Sequence, residues 1–389
     1  MNCTIRLDDL SKHLSGKFTL ENPHNVLDEN IICRTYHFLS DVSFHFDVEK
    51  INLDGEYLDS GEKENQNFRY AIFAPAQNKK FSEAIILLHG LNERYWGKYL
   101  PWAYQLALQT QKPVILFPIA YHINRSPQSW VCPRSMNKFS IFRKMAAPDI
   151  ENSSFANVAL SLRLDHHPEL FSMSGMQTYF DIIKLTSDIH AGRFEIFEND
   201  CHIDFFAYSI GALLTETLLI SNPLQLFSNS KAFFFCGGST FDKINGSSRA
   251  IMDSQAFANL KNHILNHSET LEKEIKIPKK YGHLLKDGWK AYLAMSGMKN
   301  YIRYREKAFE RLINRIKAIG LTGDFVVPGK AIKETFEKVF NNTRFDVDVM
   351  DFPFKYSHET PFPVHNQKMN DTVTQSFNLV FNKASMFLS

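Results

Sequence analysis

The hydrophobic pattern changes character along the chain, and the changes mark out its elements. Residues 1–80 alternate short β-forming runs (31–39, 42–48 and 68–74) with polar stretches, which predicts antiparallel strands. The polar decapeptide 58–67, Leu-Asp-Ser-Gly-Glu-Lys-Glu-Asn-Gln-Asn, reads as a hairpin connection with a mobile tip. From residue 84 continuous apolar runs take over: 84–88, 114–119, one from Ile203 into Ala207, and 232–236. Unbroken runs of that length belong to strands buried on both faces. Residues 95–111 carry apolar positions at helical spacing between the first two runs, a βαβ unit with a right-handed crossover. Further strands are predicted at 316–321 and 345–350, and helices at 178–191, 212–220, 330–340 and 372–387. Run 345–350 alternates apolar and acidic residues, so one of its faces is wet, as at a sheet edge.

This predicts one α/β domain over residues 1–389 with a mostly parallel central sheet flanked by helices. The β-rich segment 1–80 would cover the first edge of that sheet. Two long excursions interrupt the pattern. Residues 125–177 hold Pro127, Pro133, Pro148 and Pro168 and are too long for a simple loop. Residues 241–311 are helix-prone at 251–265, 288–295 and 301–312. Both read as insertions that form a mainly helical cap.

Composition narrows the class. The apolar fraction is 44% and includes 34 Phe, so a thick aromatic core is expected. A net charge of +2 makes no case for nucleic acid, although 13 Lys/Arg face four Asp/Glu between residues 273 and 317, read as a solvated helical face. Five scattered cysteines without C-x-x-C spacing argue against a disulfide framework and a zinc knuckle. The acidic start lacks the basic flank and apolar core of a signal peptide, and no window reaches the roughly 18 apolar residues of a membrane span. A reduced, cytoplasmic protein is the expectation.

The chemistry concentrates where the run from Ile203 halts at Ala207-Tyr208-Ser209-Ile210-Gly211 and a second apolar run follows. A strand-to-helix turn that tight lifts the Ser209 hydroxyl above the sheet edge and aims the next N–H and the helix N-terminus at the same spot. A serine nucleophile needs a base and an acid, and in an open parallel sheet these come from the carboxyl ends of strands. Strand 316–321 ends in Thr322-Gly323-Asp324, and strand 345–350 leads into a Pro-bounded loop holding His358.

The order Ser209, Asp324, His358 resembles the α/β-hydrolase superfamily, whose triad runs in that chain order. The resemblance spans residue 84 to the C-terminus outside the excursions. His89-Gly90 is similar to the oxyanion loop, Ala207 to Gly211 to the nucleophile elbow, Gly323-Asp324 with Val327-Pro328 to the acid loop, and Ser357-His358 to the histidine loop. Ala207 departs from the commoner glycine by one methyl. The resemblance implies a Ser-His-Asp triad and two-step acyl transfer on a small-molecule ester, thioester or amide without a cofactor. It also implies oxyanion donors at Ile210 and at Leu91 or Asn92. An acyltransferase to a non-water acceptor and a non-catalytic binding protein are the other classes on this fold.

Rivals exist for each role. His89 competes as base and Asp351 as acid; Asp165-His166-His167 offers metal ligands but reads as a solvated loop. Gly237-Gly238-Ser239 lacks the spacing of a dinucleotide fingerprint. His358-Glu359 fails H-E-x-x-H because the next histidine is His365, so no metal site is expected. Arg125, Trp130 and Arg134 leave the strand end nearest the site and are the candidates for substrate binding, with an arginine clamp on a carboxylate as the competing role.

Overall fold

Period-two alternation on buried strands builds a sheet with an apolar layer on each face. The computed structural model describes residues 6–43, 52–53, 56–77, 80–268, 277, 279–337, 345–364 and 367–389. Its strands are β1 (His24–Val26), β2 (Ile31–Leu39), β3 (Asn52–Leu53), β4 (Glu56–Tyr57), β5 (Asn67–Pro75), β6 (Phe81–Leu88), β7 (Val114–Leu116), β8 (Phe197–Tyr208), β9 (Ala232–Phe235), β10 (Ile316–Leu321) and β11 (Asp346–Met350). Nine of them form one sheet in the order β1-β2-β5-β7-β6-β8-β9-β10-β11, and β3 pairs with β4 alone. The pairs from β7 to β11 are parallel, whereas β1, β2 and β5 join antiparallel at one edge.

Each central strand sends alternate residues to opposite layers. Ile86, Phe205 and Phe234 enter one core, while Leu87, Phe206 and Phe233 enter the other. Double-sided burial accounts for the unbroken apolar runs and for much of the phenylalanine. Helices α1 (Leu7–Lys17), α3 (Leu100–Thr110) and α12 (Asn370–Leu388) cover the second layer. The first is covered chiefly by α6 (Glu169–His190), α7 (Ile210–Ser221) and α9 (Gly282–Ser296). Strand β11 lies at the far edge and is only partly buried, as its alternation requires.

This is the α/β-hydrolase arrangement, and its strand order places a crevice. The chain goes from β6 through α3 to β7 on one side, then crosses to β8 on the other. The carboxyl ends of β6 and β8 are therefore a topological switch point, with Leu88 and Ala207 in register.

Several expectations shift. Polar residues 58–67 are not a bare hairpin loop: Glu62–Gln66 forms the short helix α2. The buried Asn65 draws that helix in, donating to Gln177 Oε1 at 2.7 Å and accepting from the Tyr121 N–H at 3.1 Å. Helix α6 begins at Glu169 rather than 178, so the first excursion is shorter than expected; it holds α4 (Pro133–Ala146) and α5 (Val158–His166). The second holds α8 (Ser254–Asn266), α9 and α10 (Ile302–Glu310). Helix α11 covers Gly329–Phe336, and residues 338–340 of the expected helix lie outside the described residues, as do residues 44–48 of the expected strand. Among the described residues no helix is long and apolar enough to cross a membrane, and Cys33, Cys132, Cys201 and Cys236 are free.

Glu216 on α7 is fully buried, and neither carboxylate oxygen has a hydrogen-bond partner among the described residues. Burial pushes its pKa well above the ordinary value, against a weaker opposing pull from Arg305. A carboxyl neutral in the fold and ionised in the unfolded chain costs stability as pH rises above about 4.3. Glu216→Gln is therefore expected to raise the unfolding midpoint, more at pH 8 than at pH 5. Equal destabilisation at both pH values in thermal melts would contradict this.

Candidate active site

The turn after β8 is built by backbone contact. Ser209 has φ 55° and ψ −121°, a left-handed conformation that costs a side-chain-bearing residue about 1–3 kcal/mol. A Cβ on Gly211 would stand 2.7 Å from the Leu88 carbonyl oxygen, and one on Gly237 2.8 Å from the Ser209 carbonyl oxygen. Gly237 thus serves a close approach of the β9 exit to the elbow, not a dinucleotide.

The hydroxyl of Ser209 lies 2.7 Å from His358 Nε2, and His358 Nδ1 lies 2.7 Å from Asp324 Oδ2. All three residues are buried. A carboxylate can only accept, so Nδ1 carries the ring proton and Nε2 is left to accept from the serine. The other Asp324 oxygen accepts the N–H groups of Val326 and Val327, each at 2.9 Å. Those bonds fix the carboxylate at the end of β10, as the loop Asp324-Phe-Val-Val requires.

The rivals are placed elsewhere. His89 uses both nitrogens structurally, Nδ1 donating to the Gly90 carbonyl at 2.8 Å and Nε2 accepting from the Ile119 N–H at 2.9 Å. Burial lowers its pKa well below the usual histidine value, so it stays neutral. Asp351 accepts the Tyr356 hydroxyl at 2.7 Å. Asp165 pairs with Arg143 at 3.0 Å, and no cluster of metal-ligating side chains occurs among the described residues. His365 lies outside them.

Leu91 and Ile210 border the hollow at Ser209, together with Phe241, Ile251 and Val327; its volume is about 30 Å³. A second apolar hollow of about 40 Å³ shares Leu91, Ile210 and Leu213 with it. Asn92 borders neither. It has φ 58°, and its side-chain amide donates to the Ala156 carbonyl at 2.9 Å and the Ala250 carbonyl at 2.6 Å. The loop after β6 is thereby tied to both excursions at once. They are also tied to each other, because Asn157 donates to the Ser248 carbonyl at 2.9 Å and Ser154 to that of Arg249 at 2.6 Å.

None of the three substrate-binding candidates borders the hollow at Ser209. Arg125 is fully buried and bonded to Asp181 at 2.9 Å and to the Asn65 carbonyl, so it clamps the fold. Trp130 donates its indole N–H to the Asp59 carbonyl at 3.1 Å, and Arg134 is exposed. Sequence reasoning passed over Tyr208, although it lies inside the quoted pentad. Its ring stacks on that of His358 at 5.3 Å, and its hydroxyl donates to the His358 carbonyl.

A family model described as a family of unknown function, DUF6051, matches residues 21–389. No curated protein matches the chain in sequence. Among solved structures, a cold-adapted esterase from an Arctic intertidal metagenomic library is similar at 9% identity and a TM-score of 0.43, covering 96% of this chain and 100% of its own. A thermostable esterase from Pseudomonas putida is 7% identical with a TM-score of 0.41, covering 98% and 88%. A peroxisomal α/β-hydrolase from Saccharomyces cerevisiae is 11% identical with a TM-score of 0.39, covering 92% and 91%. The overlaps are loose, and the fold assignment rests on the strand order and the turn at Ser209.

Asn92→Ala removes two donors, each worth about 1 kcal/mol. Amide hydrogen exchange across residues 247–252 is expected to quicken about tenfold while α7 keeps its protection. Unchanged exchange there would remove the fastening role.

Proposed function

We propose that this chain, which belongs to the DUF6051 family, is a serine hydrolase that cleaves an ester, thioester or amide through an acyl-enzyme. The observation that carries the reading is the unbroken run of hydrogen bonds from Ser209 through His358 to Asp324, on a strained turn at the switch point. His358 takes the serine proton as Ser209 attacks the carbonyl, and Asp324 steadies the imidazolium that forms. The N–H groups of Ile210 and of Leu91 or Asn92 receive the oxyanion, each such donor being worth about 3 kcal/mol in the transition state. The leaving group departs with the proton from His358, and water repeats the sequence on the acyl-enzyme.

Excursions 125–177 and 241–311 act in this reading as a two-part cap. The small apolar hollow at Ser209 favours a second outcome of the same chemistry, transfer of the acyl group to an alcohol or thiol that excludes water. Product analysis with added alcohols separates the two.

Ser209→Ala is expected to abolish turnover of an activated ester and labelling by a fluorophosphonate probe. Labelling that survives the substitution would remove Ser209 from the role. Asp324→Asn should reduce kcat by about 10⁴, the effect of holding the histidine in the wrong tautomer.

A further inference from the structure

Excursion 125–177 contains three buried arginines, and two of them have carboxylate partners. Arg125 pairs with Asp181 at 2.9 Å, and Arg143 pairs with Asp253 and, at 3.0 Å, with Asp165. Arg163 on α5 is only 7% exposed, yet its guanidinium makes no hydrogen bond or ion pair among the described residues. It rests instead against the rings of Tyr121 at 4.3 Å and Trp130 at 4.5 Å. Burial draws its pKa down to about 10, which still leaves it charged at neutral pH. A desolvated cation without an anion is strongly disfavoured, and aromatic faces offset that only in part.

Arg163 walls a small hollow together with Asn92, Arg94, His122 and Ser126. Arg94 also lacks an ion pair among the described residues, its guanidinium lying 6.0 Å from the Tyr95 ring centre and 5.9 Å from that of Phe155. Glu93 is the one carboxylate on that wall, and its Oε1 accepts from Lys98 and from the Tyr99 hydroxyl at 2.7 Å. The lining thus sets two arginines, Arg94 and Arg163, against one carboxylate that already pairs with Lys98.

Position connects this hollow to the site. Asn92, Glu93, Arg94 and Ala156 also wall an adjoining open groove of about 460 Å³. On the inner side His122 is shared with the apolar hollow that borders Leu91 and Ile210. Adjacent residues of one loop, Leu91 and Asn92, therefore face the hollow at Ser209 and the arginine hollow in turn.

We propose that Arg163, pre-set by Tyr121 and Trp130, receives an oxyanion carried by the substrate, a carboxylate or a phosphate. The inference rests on Ser209 as nucleophile for the word substrate, but the anion site stands on its own geometry. The recognition role expected of Arg125 passes to Arg163, and Trp130 serves it by holding the guanidinium.

Two measurements test this. In Ser209→Ala protein, glutarate or inorganic phosphate is expected to raise the unfolding midpoint, and whichever does so identifies the head group. Adding Arg163→Met should abolish that rise, and Arg163→Lys, which keeps the charge but not the planar fork, should retain part of it. No rise with either ion, or a rise that persists in Arg163→Met, overturns the proposal. In the wild-type background, the kcat/KM ratio of 4-nitrophenyl hemiglutarate to 4-nitrophenyl valerate should fall about tenfold or more in Arg163→Met, mainly through KM. An unchanged ratio, when glutarate is the ion bound, overturns it too. Anion binding that depends on Arg163 in a protein that hydrolyses neither ester would sink the nucleophile reading and leave the anion site in place.

Discussion

Every functional feature at the carboxyl edge of the sheet depends on one close approach of backbones. Segments leaving β6, β8 and β9 meet at Leu88 against Gly211 and at Ser209 and Ala212 against Gly237, where a Cβ on either glycine would clash. The ladders on either side of β8 hold its end in place, so the strain falls on the turn. Ser209 at φ 55° and Cys236 at φ 50° carry it. That conformation turns the serine side chain out of the sheet. It also starts α7 at once, so the first free N–H groups of the helix point where an oxyanion would form. A relaxed serine here would lose the hydroxyl position and the donors together.

Behind His358 a second layer links the loops that the turn brings together. Gly90 donates its N–H to the Tyr99 hydroxyl at 2.9 Å, which donates to Glu93 at 2.7 Å. Glu93 holds Lys98, whose ammonium lies 4.6 Å from the Tyr208 ring centre and donates to the Glu359 carbonyl at 3.1 Å. Tyr208 closes the path by stacking on His358. Burial raises the pKa of both tyrosines well above the usual value, so each hydroxyl keeps its proton and remains a donor. Networks of this kind in a low-dielectric interior hold geometry better than their separate bonds suggest. The loop after β6 and the histidine loop are thus mechanically one unit.

The sheet and the order of Ser209, Asp324 and His358 were legible because burial on two faces leaves an unbroken apolar run, and a strand end limits where a site residue can stand. The edge position of β11 was legible for the same reason, through its acidic alternation. The excursions were not. The partner of Arg125 is Asp181, 56 residues later, and that of Arg143 is Asp253, 110 residues later, so no local pattern distinguishes a clamped arginine from a free one. Asn92 was read for its N–H, whereas its side chain reaches Ala156 and Ala250 across the whole cap. Helix α1 was missed although its apolar residues, Leu7, Leu10 and Leu14, stand at helical spacing; they pack in the layer covered by α3 and α12.

Both excursions are fastened at the loops beside Ser209. Asn92 ties both excursions to the loop after β6, and Ser248 bonds Glu359, the neighbour of His358. These bonds therefore attach to the loops that hold Leu91 and His358, and Ser209 is left 8% exposed beside a hollow of about 30 Å³, room for about one water. Under the proposed function, a substrate could reach Ser209 only where the excursions part from these loops. The bonds to these loops would then re-form only around an enclosed substrate, which would couple its recognition to the geometry at Ser209.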